Sequence, residues 1–188
     1  KINEDNDFIY YKKNDKLYKI EKELLKNFAK PDDMKVGRSY NNLLANSYVI
    51  FPYIDGKVIP ESILEKKYPG AFDYLLDHKD ILLPKVMGGK RDVRGSNSEV
   101  VWYQFGRAQF LKEVKDPKII VGVLSNEPNF NIDTKGFTFA SGGTAGYIGL
   151  YLREKSKYTL EYMQAWLSHS FTDRIFQTIG SSFEGEFY

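Results

Sequence analysis

The sequence contains no cysteine and only two histidines, His78 and His169. The first absence excludes disulfides and thiolate metal sites and agrees with a reducing cytoplasm, the compartment we expect. The second leaves no zinc-type ligand set, because the two imidazoles are far apart in the chain and have no cysteine partners. No stretch approaches the roughly 18 consecutive apolar residues that a membrane span needs. The first residues, Lys1 to Asp7, are polar and offer no apolar core for a targeting signal. Charge of one sign is also scarce: a net charge of +2 over 188 residues is too little to hold a polyanion by charge alone, so a nucleic-acid role must rest on a local patch.

Several catalytic signatures are missing as well. There is no Gly-x-Ser-x-Gly elbow, and the glycines at 142–146 lack the Gly-Lys-Ser/Thr ending of a phosphate loop. Nor is there an Asn/Asp-Pro-Pro-Tyr/Phe adenine-methylating signature or a glycine-rich turn after an early strand. A nuclease of the Pro-Asp…(Asp/Glu)-x-Lys kind has a superficial match in Pro31-Asp32 and Glu65-Lys66-Lys67. The same triplet recurs at Asp77-His78-Lys79, Asp116-Pro117-Lys118 and Asp133-Thr134-Lys135, so it arises cheaply in a charged chain. Glu65 to Lys67 also falls in a helical stretch, whereas a metal-binding acid and its lysine should project from adjacent strands. We therefore expect no catalytic centre, no metal and no cofactor in this chain.

What the sequence has in excess is aromatic side chains, 14 Tyr, 13 Phe and 2 Trp, which suit a mixed sheet or a binding surface. Phe8 to Tyr11 and Leu17 to Ile20 around Asn14-Asp15 predict a hairpin, followed by a helix from Glu21 to Ala29 ended by Pro31. Ser47 to Tyr53 predicts a strand closed by an Asp55-Gly56 turn. Pro60 to Pro84 predicts two short helices. Lys85 to Val100 is an aperiodic loop, and Val101 to Gln104 and Lys118 to Leu124 predict strands, the latter buried on both faces. Phe130–Ile132 and Phe137–Phe139 predict a second hairpin. Thr159 caps a helix from Leu160 to Ile179 with Tyr162, Ala165, Trp166, His169, Ile175 and Phe176 as its apolar stripe, stopped by Gly180. With no repeat and no linker, the expectation is one unit over 1–188: an α/β (α+β) fold, a compact mixed sheet with flanking helices and long loops.

The chemistry concentrates between Lys79 and Arg107. Lys79, Lys85, Lys90, Arg91, Arg94 and Arg107 outnumber Asp80, Asp92 and Glu99, a local +3 that exceeds the whole-chain balance. Gly88, Gly89 and Gly95 let the backbone approach a ligand. Trp102 and Tyr103 offer a stacking face, Trp102 serving equally as a core anchor, and Gln104 offers an amide for an adenine edge.

In order along the chain, several blocks resemble the target-recognition region of type II restriction–modification enzymes and adenine-N6 DNA methyltransferases, the TaqI-like C-terminal specificity domain. They are Tyr48-Val49-Ile50-Phe51-Pro52-Tyr53 with Gly56, then Tyr68-Pro69…Tyr74-Leu75-Leu76…Lys79…Leu82, then Trp102-Tyr103-Gln104-Phe105-Gly106-Arg107. Pro117-Lys118-Ile119-Ile120, Phe130-Asn131-Ile132-Asp133 with Gly142-Gly143 and Tyr147-Ile148-Gly149, and the helix from Tyr162 to Ser168 follow. The likeness runs from about Lys35 to Tyr188. It departs at Trp166-Leu167-Ser168-His169, where members carry Leu-Leu-Asn-Ser, and at Lys85, where members carry Arg. A closing Leu-Pro-Ile segment would follow Tyr188, so the expectation is a domain cut from a larger bacterial enzyme.

The resemblance implies double-stranded DNA as the ligand and a catalytic methyltransferase domain of the same polypeptide as the partner. S-adenosylmethionine, with magnesium if an endonuclease is fused, belongs to that parent. Lys85, Lys90, Arg91 and Arg94 stand as phosphate or guanine contacts, Lys79 as a phosphate contact from the helical segment, and Gln104 as a base reader. Trp102, Tyr103 and Arg107 sit beside them, and Ser141 and Thr144 stand as backbone contacts from the glycine loop. The rival classes are a free-standing metal-dependent nuclease and a sugar- or protein-binding module.

Overall fold

A computed structural model describes residues 3–29, 47–94, 100–107, 111–122, 130–140 and 146–179. Helices and several small sheets are both present, so the fold is mixed α/β as expected. The strands are β1 (Asn3–Glu4), β2 (Phe8–Lys13), β3 (Lys16–Glu21), β4 (Leu25–Ala29), β5 (Tyr48–Ile50), β6 (Tyr53–Ile54) and β7 (Lys57–Val58). Helices α1 (Glu61–Lys67), α2 (Pro69–Leu76) and α3 (Lys79–Leu82) follow, then β8 (Lys118–Gly122), β9 (Phe130–Asp133), β10 (Thr138–Phe139) and β11 (Tyr147–Leu150). Helices α4 (Leu160–Leu167) and α5 (Ser170–Ile179) close the described chain. No described helix is long and apolar enough to cross a membrane.

Two compact units form, each from two stretches: Lys1–Lys26 with Val49–Glu113, and Asn27–Tyr48 with Val114–Tyr188. The chain passes between them three times, inside β4, inside β5 and in the 3₁₀ turn at Glu113–Lys115. Composition therefore carries no sign of the division.

In the first unit, β1, β2 and β3 form an antiparallel sheet whose hairpin turns at Asn14 and Asp15, both at positive φ, 47° and 62°. That pair is the signature of a type I′ turn, whose twist matches the strands it joins. A second tight turn at Asp55-Gly56 joins β6 to β7. Pro69 occupies the first turn of α2, where its missing N–H costs nothing. The Glu21 carboxylate, at the end of β3, accepts from the free N–H groups of Gly70 and Ala71 at 2.9 Å each, which ties α2 to the sheet. The core is Tyr18, Ile20, Leu24, Ile59, Leu64, Tyr68, Ala71, Phe72, Leu75, Trp102 and Tyr103.

At the open edge of this core, Lys16 pairs with Asp73 and Asp77, and the Tyr18 hydroxyl donates to Asp77 at 2.7 Å. The Lys16 ammonium and the Tyr18 hydroxyl hold the Asp77 carboxyl below the usual carboxylate range. A depressed carboxylate stabilises the fold at pH values above its unfolded value and loses that contribution as pH falls through the folded one. Asp77→Asn should therefore lower stability slightly at neutral pH and leave it unchanged well below about pH 4, so that the acid limb of the unfolding curve flattens by the same small amount, small because the pair is exposed. Fluorescence-monitored acid titration of both proteins checks this.

In the second unit β8 is the centre of the antiparallel sheet β11-β8-β9. Ile119 packs with Ile132, Leu160 and Leu167, while Ile120 packs with Ala29, Phe137 and Tyr147. Neighbouring residues on a strand face opposite ways, so β8 is buried on both faces, as its apolar run predicts. A third sheet has the order β10-β4-β5, with β10 parallel to β4.

Besides a third short helix, α3, where the sequence predicts two over Pro60–Pro84, four local expectations fail. The helix over Glu21–Ala29 is a 3₁₀ turn at Lys22–Leu24 followed by strand β4. Its backbone finds ladder partners instead of helical ones: Leu24 O accepts from Phe51 N at 2.7 Å and Phe28 N donates to Ser47 O at 2.9 Å. Val101–Gln104 is a turn rather than a strand, closed by Gln104 N on Val101 O at 3.1 Å and by Val101 N on the Gln104 side chain at 2.9 Å. The hairpin over 130–139 does not form, because β9 pairs with β8 and β10 with β4. Asp133 turns the chain between them by accepting from Lys135 N at 2.8 Å and Phe137 N at 2.7 Å.

The long C-terminal helix is the fourth. It breaks at Ser168 and His169 into α4 and α5, and the His169 ring accepts from Phe171 N at 3.1 Å as the second helix begins. Thr159 caps the first as predicted, accepting from Tyr162 N at 3.2 Å. The inward face is Leu160, Gln164, Leu167 and Thr172, whereas Tyr162 and Trp166 are half exposed. Gln164 is tolerated inside because its amide donates to Phe130 O at 2.8 Å. Hydrophobicity alone hid that partner and put the stripe out of phase. Pro31 and Gly180, the expected stops, lie outside the described residues.

Candidate nucleic-acid interface

The residues singled out between Lys79 and Arg107 belong to the first unit, where two segments, 84–94 and 101–107, are laced together. Pro84 bridges to Arg91, and Lys85 N donates to Arg91 O at 2.9 Å. Arg94 N donates to Gly106 O at 2.8 Å. Between Pro84 and Arg91 the chain makes a 3₁₀ turn at Lys85–Met87, tightened by Met87 N and Gly89 N on Pro84 O, each at 2.9 Å. Gly88 ends the turn at φ +82°, a left-handed conformation that suits glycine. Gly89 has no alternative either, because a Cβ there would stand 1.9 Å from Leu83 O.

Arg91 holds the lacing. Its guanidinium donates to Leu82 O at 2.6 Å, to Trp102 O at 3.3 Å and to Gln104 O. Burial pulls this guanidinium below its ordinary pKa, yet arginine remains charged at any working pH. A planar fork with five donors suits three carbonyls from two segments, and a lysine does not. Arg91 is thus occupied by the main chain.

The aromatic and amide candidates also face inward. Trp102 is buried against Phe72 and meets Tyr103 edge-on at 5.1 Å, which fixes the open choice between core anchor and stacking platform in favour of the anchor. The Tyr103 hydroxyl donates to Ile59 O, and burial pushes it up to about 12. Gln104 is buried, its side-chain Oε1 accepting from Val101 N to close the 101–104 turn. Lys79 is half-buried, with its ammonium 4.9 Å from the centre of the Trp102 ring.

Lys85, Lys90, Arg94 and Arg107 are exposed. Among the described residues, no carboxylate forms an ion pair with any of the four. The rigid turn also shows two apolar side chains that sequence reasoning missed, Val86 at 74% and Met87 at 44% exposure. Their only signal was apolar residues within an aperiodic, cationic segment. Ser141 and Thr144, with the Gly142-Gly143 loop, lie outside the described residues, as do Gly95 to Glu99 and Pro31-Asp32.

The nuclease triplets have other employment. Glu65 to Lys67 end helix α1, and Asp77 is tied to Lys16. Asp133 is fully buried with Lys118, N to O 2.7 Å. Among the described residues no group of three or more His, Asp or Glu side chains forms a metal-binding cluster.

No family model matches the chain. Its similarity is to type II restriction–modification enzymes. It is 33% identical over 198 residues to the type II restriction enzyme and methyltransferase RM.Eco57I of Escherichia coli. That alignment takes in 99% of this chain and 19% of the relative, so the chain corresponds to about a fifth of that enzyme's length.

Proposed function

We propose that this chain is the double-stranded DNA sequence-recognition module of a type II restriction–modification enzyme. The observation that carries the reading is the pinned turn: Arg91 is held by three backbone carbonyls, and around it Lys85, Lys90, Arg94 and Arg107 stand exposed without carboxylate partners among the described residues. Unpaired cations on an ordered loop favour phosphate, since each contact releases condensed counterions and needs little ordering. The similarity to a restriction enzyme and methyltransferase supports the same ligand. In this reading the methyl transfer to adenine, with S-adenosylmethionine, and any cleavage belong to another part of the polypeptide. Ser141 and Thr144 remain proposed backbone contacts. Trp102, Tyr103, Gln104 and Arg91 form the frame that holds the cations.

Binding of this chain to random duplex DNA, followed by fluorescence anisotropy, tests the reading. We expect a dissociation constant of roughly 10⁻⁴ to 10⁻⁶ M at physiological salt. With four phosphate contacts, log affinity should fall against log salt with a slope of about −3 to −4. Each of Lys85→Ala, Lys90→Ala and Arg107→Ala should make that slope shallower by about one. A salt-independent affinity, or no binding, would point to a sugar- or protein-binding module instead.

A further inference from the structure

We infer that Val86 and Met87 read thymine 5-methyl groups in the major groove, an inference that rests on the duplex-binding reading above. These two side chains are 74% and 44% exposed at the apex of the 3₁₀ turn. Apolar groups on a floppy loop would be unremarkable, because single exposed hydrophobics are common. This loop is fixed at five points: Met87 N and Gly89 N on Pro84 O, Gly88 N on Lys85 O, Lys85 N on Arg91 O, and Arg91 N on Leu83 O. Its base is clamped further by the Arg91 guanidinium. The backbone thus holds Val86 and Met87 out in water, between Lys85 and Lys90, so that binding has side chains but little main chain to order.

The flanking cations select the partner. A protein partner would have to bring carboxylates to match lysines on both sides of the tip, whereas on any DNA those lysines reach the phosphates that border a groove while the tip enters it. Width selects the groove. Two backbone segments side by side, with their side chains, match the two-stranded ribbon that a major groove of about 12 Å admits and are too wide for a minor groove of about 6 Å. On the major-groove floor the one apolar group is the thymine methyl, and neither valine nor methionine can hydrogen-bond to a base edge well.

The test uses duplexes enriched by the 188-residue chain from a random library, with each thymine replaced in turn by deoxyuridine, which lacks only the methyl. At one or two positions the replacement should weaken binding of the native chain about fourfold, the worth of one methyl group removed from water. Val86→Ala/Met87→Ala should bind the thymine and deoxyuridine duplexes equally while keeping the native salt slope. Lys85→Ala should keep the thymine preference while making the slope shallower. Circular dichroism of the double variant confirms that it folds, and an unfolded double variant is replaced by Val86→Asn/Met87→Gln, which keeps similar side-chain volumes, makes both tips polar and should lose most of the preference. Indifference of the native chain to deoxyuridine at every position, an enriched site without thymine, or an undiminished preference in the folded variants overturns the inference alone. Loss of salt-dependent duplex binding altogether overturns the proposed function with it.

Discussion

Replacing Lys118 by methionine is expected to destabilise the protein by about 3–5 kcal/mol, as breaking a buried pair strands its other charge. Both side chains of the Lys118–Asp133 pair are wholly buried, the lysine on the central strand β8 and the aspartate at the end of β9. The Lys118 ammonium also donates to Val114 O at 3.0 Å. Methionine keeps most of the aliphatic volume, so the loss is electrostatic rather than a cavity. Asp133→Leu should cost at least as much, because the carboxylate also accepts from Lys135 N and Phe137 N, and leucine would orphan both with the ammonium. Urea unfolding checks both, with the midpoint falling and the slope unchanged. A cost below about 1 kcal/mol would mean that water reaches the pair.

Arg91→Ala should have the next largest effect, and it separates frame from contact. Leu82, Trp102 and Gln104 would each lose a charged donor, at about 1.5–3 kcal/mol for the strongest of these bonds. Because the turn that carries Lys85 and Lys90 depends on it, affinity should fall by tenfold or more for all duplexes alike. Arg91→Lys should not rescue, since one ammonium cannot serve three carbonyls. Arg94→Ala, at an exposed side chain, should leave stability within about 0.5 kcal/mol and still weaken binding. Altered sequence preference in a fully stable Arg91→Ala protein would return Arg91 to the role of base reader.

How much of this was legible in the sequence depended on whether the cause was local. The Asn14-Asp15 turn, the first-turn Pro69, the Thr159 cap and the doubly buried Ile119-Ile120 run are set by neighbours in sequence, and the structure has them all. β4 was misread as a helix because its partners, β5 and β10, come from distant segments. The site shows the same division. Composition located the cationic segment, but not which of its members would be spent on the frame. Arg91 and Gln104 look as suited to a base edge as Arg94 does, until the carbonyls at 82, 102 and 104 and the amide of Val101 are seen to claim them. Val86 and Met87 gave no signal of exposure, since what holds them out is a turn closed by Pro84 and Arg91.

Selection from a random duplex library by the purified chain, read by sequencing the retained DNA, tests the central claim most directly. A recognition module enriches one sequence, which competes for binding at least about a thousandfold better than bulk DNA, and Arg91→Ala retains less DNA while enriching the same sequence. Retained DNA with no common sequence at any salt concentration would contradict the account.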